Sequence, residues 1–134
     1  MHSIVAAHIG FHDQAYHYFQ KSLTIDLYST NPPASGGTFI GGIHTAACGI
    51  AWQMVVFGFA GVDVEEDGLH CDPHMPEEWN SVQFTLVYRG KSCIFTLSAN
   101  SIKVDAALSN DEALKIKIKD THYSIEPGKS VTHS

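Results

Sequence analysis

The residues best placed to do chemistry stand together between Ser35 and Thr45, as Ser35-Gly36-Gly37-Thr38-Phe39-Ile40-Gly41-Gly42-Ile43-His44-Thr45, directly before a long apolar run. A helix starting there presents unpaired backbone N–H groups and the positive end of its dipole. Gly36, Gly41 and Gly42 let the main chain approach a ligand closely, and the hydroxyls of Ser35, Thr38 and Thr45 add donors. His44 adds a ring N–H or, once protonated, a charge. This set suits a phosphate-like anion. A glycine-rich turn ahead of a helix also serves simply to pack that helix against a neighbour, and the residues alone leave both uses open.

Other reactive side chains point to less. Asp13 and Asp26 fall on a candidate outer helix, while Glu65, Glu66, Asp67, Glu77 and Glu78 gather near a junction, where they read as solvated charge. His8, His12 and His17 share part of one helical face, and with His70 and His74 they invite a metal-site reading. No zinc-ligand spacing accompanies them, so they read as surface histidines.

The elements that must position these residues follow from hydrophobic periodicity. Ile4, Val5, Ile9, Tyr16, Phe19, Leu23 and Leu27 recur at helical spacing, interrupted near Gly10 and resuming at the cap candidate Asp13, which predicts a short helix, a turn and a longer helix. Ser29 to Gly37 is dense in proline, glycine and small polar residues and reads as a loop. Thr45 to Phe59 carries no charge and predicts a helix buried on all sides, with Trp52, Met54, Phe57 and Phe59 as core. Gln53, Gly49 and Gly58 interrupt that run and no Lys or Arg anchors flank it, so it is not read as a membrane span. A helix of this kind needs neighbours that the Ser3–Leu27 helices supply only in part, which makes the helical portion look incomplete.

After Gly61 the period changes to two. Val62 and Val64, then Val82 to Tyr88, Cys93 to Leu97, Ile102 and Val104, Ile116 and Ile118, and Tyr123 and Ile125 predict short strands. Turn residues at Arg89-Gly90-Lys91, Ala99-Asn100-Ser101, Ser109-Asn110-Asp111 and Pro127-Gly128 separate them. The expected class is α+β, helices over residues 1–61 followed by a small antiparallel, jelly-roll-like β-sandwich over 62–134. Lys115, Lys117 and Lys119 alternate with Leu114, Ile116 and Ile118, as on a solvated strand face or a charged edge strand.

Composition narrows the partners. The 134 residues carry 8 basic and 14 acidic side chains, a formal charge of -6, which offers no field for nucleic acid. Three cysteines, Cys48, Cys71 and Cys93, are too few and too scattered for a disulfide framework or a zinc knuckle and suit a reducing cytoplasm. Met1 to Gly10 lacks the pattern of a signal peptide.

Gly42-Ile43-His44-Thr45-Ala46-Ala47-Cys48-Gly49, followed by Trp52 and the run Val56-Phe57-Gly58-Phe59-Ala60-Gly61, resembles the end of the catalytic barrel in glycoside hydrolase family 65. The resemblance extends upstream through Ser3 to Ala7, Ala15-Tyr16 and Phe19 to Leu27. Downstream it takes in Gly68-Leu69-His70-Cys71-Asp72-Pro73-His74-Met75-Pro76-Glu77-Glu78-Trp79 and Tyr88-Arg89-Gly90, where that family's C-terminal sandwich begins. It implies that residues 1–61 are the last helices of an (α/α)₆ barrel. It also implies an inverting phosphorylase of the maltose, kojibiose, nigerose or trehalose type, with a glutamic general acid that this chain does not supply.

On that resemblance His44 takes the position of a phosphate-site histidine, with Thr45, Ser35, Gly36, Gly41 and Gly42 as further contacts. No cofactor or metal is implied. The partners would be inorganic phosphate as co-substrate and an α-linked glucose disaccharide in the full-length enzyme. An inverting hydrolase needs a second carboxylate to activate water, whereas phosphate arrives nucleophilic. Between Leu27 and Val62 there is no Asp or Glu, which favours phosphorolysis. The expected activity of the family is disaccharide plus phosphate giving β-glucose 1-phosphate and glucose. Competing expectations are a non-catalytic carbohydrate-binding or assembly sandwich, and a split subunit completed by another chain. Uncovered apolar surface predicts self-association, or docking of a completing chain, through residues 1–60.

Overall fold

A computed structural model describes residues 2–28 and 45–134, with side chains described for 2–24 and 45–134. Helix α1 spans His2–His8 and α2 spans His12–Tyr28. The predicted break falls between them at Gly10, whose φ of 84° lies in the left-handed region. The two helices approach closely because the facing residues are small. Ala6, Ala7 and Ala15 are buried, and the buried Ser3 hydroxyl donates to the Ala15 carbonyl at 2.8 Å.

Helix α3, Thr45–Gln53, runs without interruption into a π-helical segment, Met54–Phe59. The Ala60 amide closes that segment on the Val55 carbonyl at 2.8 Å. The wider winding turns successive side chains to different sides. Val56 and Ala60 join the sandwich core, while Met54 and Phe59 join a cluster with Ala6, Ala7, Ala15 and Phe19. Phe59, Phe19 and Trp79 meet edge to face at centroid distances of 5.1–5.4 Å. This aromatic knot fastens the helical pair to the strand portion.

The expectation that Thr45–Phe59 is buried on all sides fails in its first half. No residue of α3 is buried, and Trp52 is 45% exposed. A charge-free helix is enclosed only where other elements reach it, and among the described residues α2 packs against α3 while α1 packs against the π-helical segment. The expectation holds for Met54 and Phe59, and Phe57 is partly buried against the sandwich.

Eight strands follow: β1 Val62–Glu65, β2 Gly68–Cys71, β3 Ser81–Tyr88, β4 Lys91–Ser98, β5 Ser101–Ala106, β6 Leu114–Ile118, β7 Thr121–Ile125 and β8 Ser130–His133. They form two four-stranded sheets, ordered β1-β2-β6-β7 and β3-β4-β5-β8. Between them lie Leu69, Cys71, Cys93, Phe95, Leu97, Ile102, Val104, Leu114, Ile116, Ile118 and Ile125. Most of these are the inward members of the period-two pattern. Strands β2 and β8 were not anticipated, since β2 offers only four residues with a histidine among them and β8 reads as polar.

One pairing corrects the antiparallel expectation. Strands β2 and β6 run parallel, Leu69 opposite Ile116 and Cys71 opposite Ile118. The connection from β2 to β6 passes through the whole second sheet, which is the long crossover that parallel neighbours require. It also makes β6 an interior strand, so Lys115 and Lys117 line a solvated face rather than guard an edge, and Lys119 lies in the turn that follows.

Two positions tie the architecture together. Gly61, where helix gives way to strand, has φ of 58°, and a side chain there would collide with the Asp72 carbonyl. Its own carbonyl accepts from the Asp72 amide at 3.0 Å. Asn110, read from sequence only as a turn residue, is buried. Its side-chain oxygen accepts from the Ser92 amide at 2.8 Å and its NH₂ donates to the Ser92 carbonyl at 3.0 Å, pinning the β5–β6 connection to β4.

Candidate functional site

Of the six residues expected to contact phosphate, Thr45 lies in the described part of the chain, and Ser35, Gly36, Gly41, Gly42 and His44 lie outside it. Thr45 is exposed at the first position of α3, a nine-residue helix with no acidic residue in its first turn. The first N–H groups of a helix have no partner within the helix, and no carboxylate in the first turn of α3 opposes an anion there.

The far end of the same run is held from two sides. The His8 ring bonds through Nε2 to the Phe57 carbonyl at 2.7 Å, and the His74 amide donates to the Phe59 carbonyl at 2.7 Å. The helix that starts at Thr45 therefore ends on contacts from α1 and from the β2–β3 connection. His8, His12 and His74 come together there, with His74 6.0 Å from the first ring and 5.8 Å from the second. Burial holds the His74 pKa below its ordinary value; Asp72 opposes that shift and His8 and His12 add to it. The sequence reading set His8, His12 and His17 on one helical face and took them, with His70 and His74, as surface histidines; the structure brings His8, His12 and His74 together where α1 and α2 dock beside the β2–β3 connection. Among the described residues no group of three His, Cys, Asp or Glu side chains is placed to hold a metal ion.

Next to this cluster, a surface groove of about 670 Å³ is bounded by His12, Pro73–Glu77, Trp79, the Ser98–Ser101 turn and His133. The Ser98 and Ser101 hydroxyls are bonded to each other at 2.9 Å, and His133 Nδ1 to the Tyr123 hydroxyl at 3.0 Å. Asp67 lies 2.8 Å from His70, and that hydrogen bond holds its carboxyl below the usual range. Asp13, Glu65, Glu66, Asp67, Glu77 and Glu78 are all exposed, as expected of solvated charge. Cys71 and Cys93 are buried free thiols, pushed by desolvation up to about 12 and about 11, and so are poor nucleophiles.

Comparison with known proteins decides the family. The family model described as glycosyl hydrolase family 65, C-terminal domain, matches residues 62–125. A 1,2-alpha-glucosylglycerol phosphorylase from Bacillus selenitireducens is 45% identical over 81% of the chain. The chain belongs to glycosyl hydrolase family 65. Further relatives are an alpha,alpha-trehalose phosphorylase from Geobacillus stearothermophilus, 37% identical over 87% of the chain, and a kojibiose phosphorylase from Halothermothrix orenii, 32% identical over 99%. The chain spans 14–17% of the length of these three relatives. A solved structure from the human microbiome, named after kojibiose phosphorylase, superposes with a TM-score of 0.78 over 98% of this chain and 17% of its own, at 23% identity, which shows a shared fold. The resemblance drawn from the Gly42–Gly49 and Gly68–Trp79 motifs is thereby upheld. The glucosylglycerol phosphorylase lies outside the set of activities that the motifs suggested.

Proposed function

We propose that this chain is the C-terminal part of an inverting family 65 phosphorylase, in which residues 1–61 complete a catalytic (α/α)₆ barrel and residues 62–134 form the C-terminal sandwich. The observation that carries the proposal is a phosphorylase relative matched over 99% of the chain, a span that includes Ser35 to Thr45. In the complete enzyme, His44 and Thr45, with Ser35, Gly36 and the Gly41-Gly42 backbone, orient inorganic phosphate at the start of α3. The phosphate oxygen attacks the anomeric carbon of an α-linked glucose disaccharide as the glycosidic bond breaks. A general acid from another part of the enzyme protonates the departing sugar, giving β-glucose 1-phosphate and glucose.

The absence of Asp and Glu between Leu27 and Val62 supports phosphate over activated water as nucleophile. The exposed side chains of Val5, Ile9, Phe11, Leu23, Ile50 and Trp52 support docking of the remaining catalytic portion, or of a completing chain, on the helices. Three free cysteines support a cytoplasmic setting.

The test has two arms. The 134-residue chain with phosphate and kojibiose, trehalose, nigerose or maltose is expected to release no glucose 1-phosphate; release would overturn the fragment reading. Titration with inorganic phosphate is expected to move the amide resonances of Thr45 and its neighbours in the wild type and not in His44→Ala. Identical responses in the two would remove His44 from the site.

A second reading, a carbohydrate-binding or assembly sandwich without catalysis, draws on the groove beside Trp79. A disaccharide that perturbs Trp79 fluorescence would favour it.

A further inference from the structure

The groove beside the seam between helices and sandwich has a charge pattern opposite to that of the chain. The chain carries 14 acidic side chains against 8 basic ones. The groove is bordered by His12, His74, His133 and Lys119, and among the described residues on its border Glu77 carries the one carboxylate side chain. The four basic groups come from four separate places: α2, the β2–β3 connection, β8 and the turn between β6 and β7. They meet only because α2 docks beside the sandwich and the two sheets close on each other.

Each of the four has bonding capacity left for a ligand. Ring hydrogen bonds to other described residues are made by His8, His70 and His133, so His12 and His74 keep both ring nitrogens. The Tyr123 hydroxyl occupies Nδ1 of His133 at 3.0 Å and leaves Nε2. Lys119 is fixed by its main chain, with φ of 50° and an amide that donates to the Cys71 carbonyl at 2.9 Å. Its ammonium forms no ion pair with another described residue.

The rings of His12 and His74 are stacked at 5.8 Å, and His8 lies 6.0 Å from His74. Burial keeps the His74 pKa below its ordinary value; Asp72 opposes that shift, and His8 and His12 add to it. A dianion in the groove reverses this balance, because it favours the charged imidazoles and is bound more tightly by them in return. The rest of the border narrows the anion. Pro73, Met75 and Trp79 form an apolar wall, and Asn100 and Glu77 offer hydrogen bonds to neutral hydroxyls, while Glu77 repels a second anionic group. A ligand with one dianionic end and a neutral polyol body matches both halves.

We propose that this groove binds a sugar phosphate, with the phosphoryl group drawn in by His12, His74, His133 and Lys119 and the sugar ring laid against Pro73, Met75 and Trp79. No residue of α3 borders the groove, so the proposal does not depend on a phosphate position at Thr45 or on the phosphorylase reading.

Histidine-resolved NMR on the 134-residue chain at pH 6.5 tests it, with glucose 1-phosphate, inorganic phosphate, glucose and sodium chloride of matched ionic strength as the additions. Glucose 1-phosphate is expected to move the ring resonances of His12, His74 and His133 together and to raise the pH at which His74 titrates. Glucose and chloride are expected to leave them in place, and inorganic phosphate to bind about tenfold more weakly. Lys119→Gln and His133→Gln are each expected to weaken glucose 1-phosphate by about fivefold with an unchanged circular dichroism spectrum. His44→Ala is expected to leave the response intact; a response lost in that variant would put the binding at the start of α3 and overturn the groove. Rings that ignore glucose 1-phosphate, that follow chloride equally, or that respond unchanged in the double variant would also overturn it. Inorganic phosphate binding as tightly as glucose 1-phosphate would overturn the sugar, and glucose binding as tightly would overturn the anion. Should the variants unfold, wild-type nuclear Overhauser contacts decide. Contacts from the sugar protons to the Trp79 indole support the site, and their absence at saturation refutes it.

Discussion

The helical portion is the more apolar of the two by sequence, yet the sandwich buries its apolar residues more completely. In the sandwich, β4 and β5 enclose three residues each between two sheets that the chain itself supplies. In the helical portion, α3 encloses none, and Val5, Ile9, Phe11 and Trp52 face outward at 45–65% exposure. A sheet pair closes its own core because each sheet is the other's cover. A helix that is apolar all round needs neighbours on every side, and among the described residues α2 packs against α3 while α1 packs against the segment that follows it. The sandwich is self-sufficient in this chain, while the helices have packing capacity left over.

The largest expected effect separates the two regions by stability. Phe95→Ala opens a cavity at a fully buried position and should cost about 3–5 kcal/mol in denaturant unfolding. Trp52→Ala removes a larger side chain from a half-open surface and should cost less than about 1 kcal/mol. Equal losses would erase the contrast between the regions.

The next effect lies at the seam. Gly61→Ala demands a left-handed conformation and drives a methyl group into the Asp72 carbonyl, with an expected loss on the order of 2–3 kcal/mol. Hydrogen exchange should show it first at Phe59, Asp72 and His74. Uniform loss across β4 and β5 instead would mean that the seam and the sandwich melt as one.

The smallest effect depends on pH. The folded-state pKa of His74 lies below its ordinary value of 6.5, so the unfolded chain takes up the proton first. Stability from this group is complete above about 6.5 and declines as pH falls through the folded value. As pH falls below about 6.5 the wild type should lose thermal stability relative to His74→Gln, whose side chain does not titrate, while above it the gap between the two melts stays constant. Curves that stay parallel from pH 7.5 to 5 would rule out His74 as a titrating contact at the seam.

Much of this architecture was legible in the residues. Period-two apolar spacing found the strands from Val62 to Ile125 apart from β2, since burial between two sheets demands that pattern wherever it occurs. Gly10 and Asp13 marked the helical break to within a residue. Strands β2 and β8 escaped because Gly68-Leu69-His70-Cys71 and Ser130-Val131-Thr132-His133 show no aliphatic pair at a spacing of two like Val62 and Val64, and their membership is decided by neighbours distant in the chain. The candidate site was legible as chemistry at Ser35 to Thr45, but five of its six residues lie outside the described part of the chain, and the structure places Thr45 alone. His8 and His12 were legible as sharing a helical face, but that His74 is the ring beside both was decided by the docking of the helices against the β2–β3 connection.

The sequence by itself determined the class of each segment, the hydrophobic rows of the sandwich, the charge-free helix start at Thr45 and the family motifs, since these depend on residue type and local spacing. Only the tertiary structure decided that β2 and β6 run parallel, that no residue of α3 is buried while the π-helical turn after it serves two cores, and that β3 stands at the edge of the second sheet among the described residues. Each of those depends on which surfaces separate parts of the chain present to one another, and local periodicity carries no record of its distant partners.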